Sequence, residues 1–352
     1  MINYRHPQVQ ADLAELIAQN IPWSDLKDKT VLITGATGML ASYVGFTLLY
    51  LNAQMNLNIR PIFLARSELK LRTVYGKALE QCHCLVQDIC KPIDYAGNID
   101  YIFHAAGAAS PYYILNDPVG IINANVEGTQ NILELARKNK TTNIAFASTR
   151  EVYGRLDKKT AITEDDIGVV DPLNPRNCYP ESKRLAEALF MAYYTQYGIN
   201  FNSLRIAHSY GPGMQLERDG RVMADFLNDA VNGRDIILKS RGEAERAFCY
   251  ITDAISGVFR VMLNGAPSKA YNVANEKEPI QIIDLANLIQ KTVGNDRSVK
   301  IELTNSQAGY TDYARTALVT DWLEELGWYS KVCLEDGLTR TIQSILDGTN
   351  EN

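Results

Sequence analysis

The chain has no apolar run long enough to cross a bilayer, so no membrane-spanning helix is expected. It has no excess of positive charge either. With 35 Lys and Arg against 41 Asp and Glu, its net charge of -6 argues against general nucleic-acid binding and gives no signal for a membrane surface. Cysteine is sparse: Cys82, Cys84, Cys90, Cys178, Cys249 and Cys333 are six residues in 352. The N-terminus (MINYRHPQVQADLAELIAQN) is polar and mixed and does not read as an export signal, so reduced thiols and a cytoplasmic protein are expected. Cys82-His83-Cys84 has no second ligand pair at zinc spacing, and it reads as the edge of a strand rather than a metal site. Internal repeats, low-complexity segments and flexible linkers are missing as well.

What is there suits an ordinary globular protein, 46% hydrophobic and 22% charged, long enough for a large core and two lobes. Residues 1–28 read as a helical lead-in. Thr30 to Thr34 is a continuous apolar run, as expected of a strand buried on both faces. Gly35-Ala36-Thr37-Gly38-Met39-Leu40-Ala41 follows, and then a helical run from Ser42. Strand, glycine turn and helix start together form a dinucleotide site. Gly35 permits the turn, Gly38 lets backbone approach a pyrophosphate, and the helix N-terminus holds it. Further strands are expected at Arg60–Ala65, Leu85–Ile89, Tyr101–Gly107 and Asn143–Ser148, with a long helix from Pro118 to Lys138. Strands alternating with helices predict an α/β, Rossmann-type, doubly wound parallel sheet whose ligands bind at the strands' carboxyl ends. Asp88 and Ile89, and the small residues Ala105 and Ala106, then fall beside the cofactor. The second strand ends in Ala65-Arg66-Ser67 instead of an acid, which favours the 2′-phosphate of NADP over NAD. The expected division is the lead-in, a cofactor domain over 29–207, and a smaller α/β substrate lobe over 208–352 interleaved with it.

Tyr179 and Lys183 lie four apart at the start of a helical run, so both side chains share one face. An ammonium beside a phenol favours the phenolate. Such a phenol can exchange a proton with a sugar hydroxyl or ketone.

These segments together resemble the extended short-chain dehydrogenase/reductases of the NAD-dependent epimerase/dehydratase family, which modify nucleotide sugars. The residues that carry the resemblance are the glycine turn, His104-Ala105-Ala106-Gly107-Ala108-Ala109-Ser110-Pro111, Ser148 to Gly154, and Tyr179 to Lys183. Among these enzymes the chain is most similar to UDP-glucuronate decarboxylases, through Ser110-Pro111-Tyr112, Asp171 to Arg176, Asp219 to Val222, Arg246 to Phe248, and Arg315. The resemblance implies a tightly held NADP or NAD contacted by Gly35, Thr37, Gly38, Met39, Leu40, Arg66, Asp88, Ile89, Ala105, Ala106, Tyr179 and Lys183. It implies that Thr149, Glu151, Tyr179, Lys183 and Arg315 carry the chemistry. It assigns Ser110, Pro111, Tyr112, Arg150, His208, Arg221 and Arg246 to a nucleotide-sugar substrate. It further implies a homodimer formed through the helices at 118–138 and 180–197 as a four-helix bundle.

The chain also departs from the pattern. Arg150 stands where similar decarboxylases carry a small hydroxyl residue and 4,6-dehydratases an Asp, which argues against dehydration. It could hold a substrate carboxylate or point away. His208 replaces a common Asn, and the residues after Arg315 differ from the usual run. The missing acid at Ala65 is a third departure, since redox-neutral members normally keep NAD. The leading expectation is oxidation of the sugar at C4 to a 4-keto intermediate, followed by decarboxylation of a glucuronate. An NADPH-dependent 4-ketoreductase, an epimerase and a non-catalytic dinucleotide sensor are the alternatives.

Overall fold

A computed structural model describes residues 2–156, 160–303 and 317–350. Its centre is a seven-stranded parallel sheet: β1 (Thr30–Thr34), β2 (Arg60–Ala65), β3 (His83–Val86), β4 (Tyr101–His104), β5 (Asn143–Thr149), β6 (Phe201–Ile206) and β7 (Lys269–Val273). The spatial order is β7-β6-β5-β4-β1-β2-β3. The order reverses between β1 and β4, and this opens a crevice at their carboxyl ends.

Alternation along the strands divides the core into two layers. Val31, Ile33, Phe63, Phe103 and Leu204 face one side. There they meet α1 (Pro7–Ile17), α2 (Met39–Met55) and a long helix at Ile251–Asn264. Leu32, Ile62, Leu64, Ile102 and Ile144 face the other, against α3 (Pro118–Asn139) and α4 (Cys178–Tyr197). Both layers are apolar, which is why the strands read as continuous hydrophobic runs. β3 runs two to three residues ahead of its expected position. The Asp88 carboxylate takes the Cys90 N–H at 2.9 Å and turns the chain away from the sheet.

A second group of elements follows β6. Helices Val222–Val231 and Ile282–Val293 pack with one another and with the helix Leu334–Asn350. Ile236–Leu238 pairs in parallel with Val299–Ile301. β7 returns from this region to the edge of the main sheet.

The N-terminal helix is tied to both groups. Val9, Leu13 and Leu16 are fully buried, each worth about 2 kcal/mol. Between them Asp12, also fully buried, accepts hydrogen bonds from Tyr43 Oη at 2.8 Å, Tyr250 Oη at 2.9 Å and Gln8 Nε2 at 2.9 Å. Arg340 Nη1 lies 3.3 Å from the same carboxylate and also pairs with Glu15 at 2.7 Å. Burial pushes the Asp12 carboxyl upward, while these donors and the guanidinium hold it down. Asp12→Ala should lower the unfolding free energy by about 3 kcal/mol, because it strands two buried tyrosine hydroxyls. Glu15→Ala, on the exposed side of the same helix, should cost less than about 1 kcal/mol. Urea denaturation followed through Trp23, whose indole donates to the carbonyl of Ile17 in α1, measures both.

Candidate active site

The chain leaves β1 at Thr34 and turns at Gly35, where φ is +65°. A Cβ on Gly35 would lie 2.8 Å from the Ala105 carbonyl oxygen and 2.9 Å from Ala106 Cα. Only glycine permits this approach of the β1 turn to the end of β4. Gly38 caps α2 without a side-chain hydrogen bond, so the first N–H groups of the helix are left for an anion. Thr34 Oγ1 accepts from the backbone N–H groups of Ala105 and Ala106 at 3.1 and 3.0 Å. Its own proton is then available for His104 Nδ1 at 2.8 Å, which places the single ring proton on Nε2, 3.2 Å from Thr129 Oγ1. Burial, and secondarily Lys183, pushes His104 down to about 3, so this ring is neutral. The turn, the uncapped helix and the side-chain-free approach together fit a dinucleotide pyrophosphate. Thr37, Met39 and Leu40 lie in this turn and the first helical residues. Arg66, at the end of β2, is exposed. Its charge acts on Asp88 at the end of β3, whose carboxyl is lowered chiefly by the Cys90 N–H. Ile89 is buried, against Gly128 of α3.

α4 begins at Cys178, so Tyr179 and Pro180 sit in its first turn, where a proline costs no helical hydrogen bond. Tyr179 and Lys183 are 5% and 4% exposed. Lys183 Nζ donates to the Ala147 carbonyl at 2.8 Å and lies over the Phe146 ring, 4.6 Å from its centre. Burial pushes this amine down to about 7, and the charge of Glu187 opposes that. Thr149, at the end of β5, acts on the Tyr179 phenol. It is raised, not lowered: burial is the largest cause and the Glu151 charge the next, with Thr149, Arg221 and Arg176 acting the other way. The expected depression by Lys183 is therefore overridden in the protein alone, because removing a phenolate from water outweighs its cationic neighbours.

The loop after β5 carries the two departures and the acid. Arg150 is buried, and its Nη1 lies 3.1 Å from His208 Nε2. The guanidinium can only donate, so this ring nitrogen is the acceptor. Burial, then the charges of Arg150, Arg246 and Arg221, hold His208 well below the usual histidine range. His208 adopts φ +44°, a left-handed conformation uncommon outside glycine. The two unusual residues are thus one hydrogen-bonded pair joining the β5 loop to the turn after β6. The Glu151 carboxylate faces Arg176, with contacts of 2.7 and 3.2 Å.

Arg221 is held by Asp219 through Nε at 2.6 Å and Nη2 at 2.8 Å. The Asp219 carbonyl takes the Tyr112 N–H at 3.1 Å, and a Cβ on Gly220 would lie 3.2 Å from Pro111. The 110–112 and 219–221 segments are therefore adjacent. The Ser110 hydroxyl is buried with no hydrogen-bond partner among the described residues. Arg246 lies in the short strand Glu245–Arg246, opposite Ile280. Arg315 lies outside the described residues. Sequence reasoning did not single out Arg176 or Glu187 for the site. Glu187 could have been noticed from its spacing, four residues after Lys183. The pairing of Arg176 had no local signal.

Comparison with known proteins agrees with this geometry. A model of the NAD dependent epimerase/dehydratase family matches residues 31–274. UDP-glucuronic acid decarboxylase 6 of Arabidopsis thaliana is 32% identical over 88% of this chain and 86% of its own length. UDP-glucuronic acid decarboxylase 1 of Xenopus tropicalis is 31% identical over 91% of this chain and 72% of its own. Among solved structures, UDP-glucuronic acid 4-epimerase from Bacillus cereus in complex with NAD has the same fold, with a TM-score of 0.74 at 22% identity over 92% of this chain and 98% of that one. A parallel sheet with a glycine turn at its crevice, a buried Tyr179–Lys183 pair beneath Thr149 and relatives of this kind over most of its length make the chain a member of the NAD dependent epimerase/dehydratase family.

Proposed function

We propose that this enzyme takes a nucleotide sugar through a 4-keto intermediate, with UDP-glucuronate as substrate and a UDP-pentose as product. The observation that carries the reading is the buried pair Tyr179 and Lys183, one helical turn apart beside the end of β5, with Thr149 and Glu151 acting on the phenol. A nicotinamide dinucleotide held at the glycine turn would supply a hydride acceptor and, when oxidised, a positive charge. Tyr179, as phenolate, takes the proton of the C4 hydroxyl while C4 becomes a ketone. Thr149 holds the same oxygen. Lys183 has two further N–H groups beyond the one given to Ala147, and these suit ribose hydroxyls. The 4-keto uronate is a β-keto acid. Its C5–C6 bond breaks, carbon dioxide leaves, and the electron pair delocalises into the C4 carbonyl. C5 then takes up a proton, with Glu151 as the neighbouring acid–base group, and C4 is reduced back by return of the same hydride while Tyr179 gives its proton back to the C4 oxygen, which would leave a UDP-pentose and no net change in the cofactor. The Arg150–His208 pair and Arg221, Arg246, Ser110, Pro111 and Tyr112 line the substrate side of this reading.

Incubation with UDP-glucuronate and NAD or NADP should release carbon dioxide and a UDP-pentose. Absence of both would retire the decarboxylase reading. Loss of one NADPH per 4-keto-sugar nucleotide would select a 4-ketoreductase instead, and turnover without carbon dioxide or net cofactor loss an epimerase. Tyr179→Phe should lower turnover at least about a hundredfold while cofactor is retained, whereas a dinucleotide sensor would be unaffected.

The exposed Arg66 and the lack of an acid at the end of β2 support NADP over NAD. Arg66→Ala should weaken NADP binding on the order of tenfold and leave NAD binding nearly unchanged, as read by calorimetry.

Exposed apolar side chains on α3 (Val119, Ile122) and α4 (Leu185, Met191) support a homodimer through these helices. The Leu185→Glu, Met191→Glu double variant should sediment as a monomer in analytical ultracentrifugation, against a dimer for the unaltered chain.

A further inference from the structure

Behind the Tyr179–Lys183 pair lies a second charged cluster that the reading above does not use. Glu187 sits one turn after Lys183 on α4. Its Oε1 accepts from Ser148 Oγ at 2.6 Å and from Arg205 Nε at 3.2 Å. Its Oε2 accepts from Arg205 Nη2 at 2.8 Å. The Glu187 and Arg205 side chains are each only 15% exposed. Arg205 is fixed in turn, through Nη1 to the Glu164 carbonyl at 2.8 Å and over the Tyr153 ring at 4.8 Å. Ser148 directly follows Ala147, the residue whose carbonyl binds Lys183. Adjacent residues of β5 therefore anchor the lysine and the acid separately.

We infer that Glu187 is a positioning residue that keeps Lys183 in its ammonium form while leaving its N–H donors free for the cofactor. Each group facing Lys183 fits this role. From β5 come the neutral Ala147 carbonyl and Phe146 ring. From β4 comes His104, neutral through its bonds to Thr34 and Thr129. From α4 itself come Tyr179, a neutral phenol in the protein alone, and Glu187. Arg205 of β6 spends its guanidinium on Glu187 and the Glu164 carbonyl. Glu187 is thus the negative charge that acts on the buried amine, and it opposes the desolvation that draws Lys183 down to about 7. A carboxylate bonded directly to Nζ would supply the same charge but occupy a donor. Ser148 and Arg205 take up both oxygens of Glu187 and hold it at one turn's distance. The charge acts through space, and the donors remain for ribose hydroxyls.

The test is a titration of Lys183 in the full chain labelled with 13Cε-lysine, the resonance being assigned by its loss in Lys183→Arg. Glu187→Gln should move the Lys183 midpoint down by about one pH unit, a tenfold loss of ammonium above the midpoint. Glu187→Asp keeps the charge but withdraws it by one methylene, so it should give a smaller shift in the same direction. It serves as the readout if Glu187→Gln does not fold. An unmoved midpoint in a folded variant overturns the inference. The consequence for turnover rests on the C4-oxidation reading: the alkaline limb of the kcat profile with UDP-glucuronate should move to lower pH by the same amount, with KM little changed. A uniform loss of kcat at every pH, with no displacement, would mark Glu187 as merely structural and overturn the inference. If the unaltered enzyme does not turn UDP-glucuronate over, the proposed function fails on that result alone, and the lysine titration still decides Glu187.

Discussion

The site depends on the removal from water of an ammonium and a phenol at the start of one helix. Lys183 and Tyr179 are almost wholly buried beneath the end of β5, and burial is the largest influence on both. It works in the same sense on each, toward the neutral form. The surroundings are arranged against it. A backbone carbonyl, a ring face and a carboxylate one turn away support the amine, while Thr149 and two guanidinium charges support the phenolate. The amine is drawn down to about 7, while the phenol stays in its neutral form in the protein alone.

The sheet makes this arrangement possible. Strict alternation gives β5 one face for the α3–α4 layer and another for the α1–α2 layer, so its carboxyl end is walled on both sides. The residues Ala147, Ser148, Thr149, Arg150 and Glu151 then leave the strand in succession. Ala147, Ser148, Arg150 and Glu151 bond Lys183, Glu187, His208 and Arg176 in turn, and Thr149 acts on the Tyr179 phenol. Five consecutive positions at one strand end thus connect α4, the loop before it and the turn after β6.

Much of this was legible in the sequence where the signal is local. The glycine turn declares itself because Gly35, Gly38 and the flanking strand and helix lie within a dozen residues. Tyr179 and Lys183 declare themselves through helical spacing. The parallel sheet follows from unbroken apolar runs such as Thr30–Thr34. What could not be read was set by partners distant in the chain. Glu151 and Arg176 are 25 residues apart, and Arg150 and His208 are 58 apart. Spacing shows that Lys183 stands near Tyr179. It does not show how much water the fold removes around them, and so the expected depression of the phenol by the lysine did not hold in the protein alone. The strand at His83–Val86 was misplaced for a smaller reason, a side-chain turn at Asp88 that competes with the ladder.

The buried carboxylate of α1 has a consequence for synthesis of the chain. Tyr43 follows Asp12 within 31 residues, but Tyr250 follows after 238 and Arg340 after 328. At roughly 5–20 residues per second, the guanidinium reaches the ribosomal exit on the order of half a minute after the acid it meets. Until then Val9, Leu13 and Leu16 have only part of their eventual cover. A helix made long before its last partner is therefore completed late, and its closure acts as a seal between segments far apart in the chain.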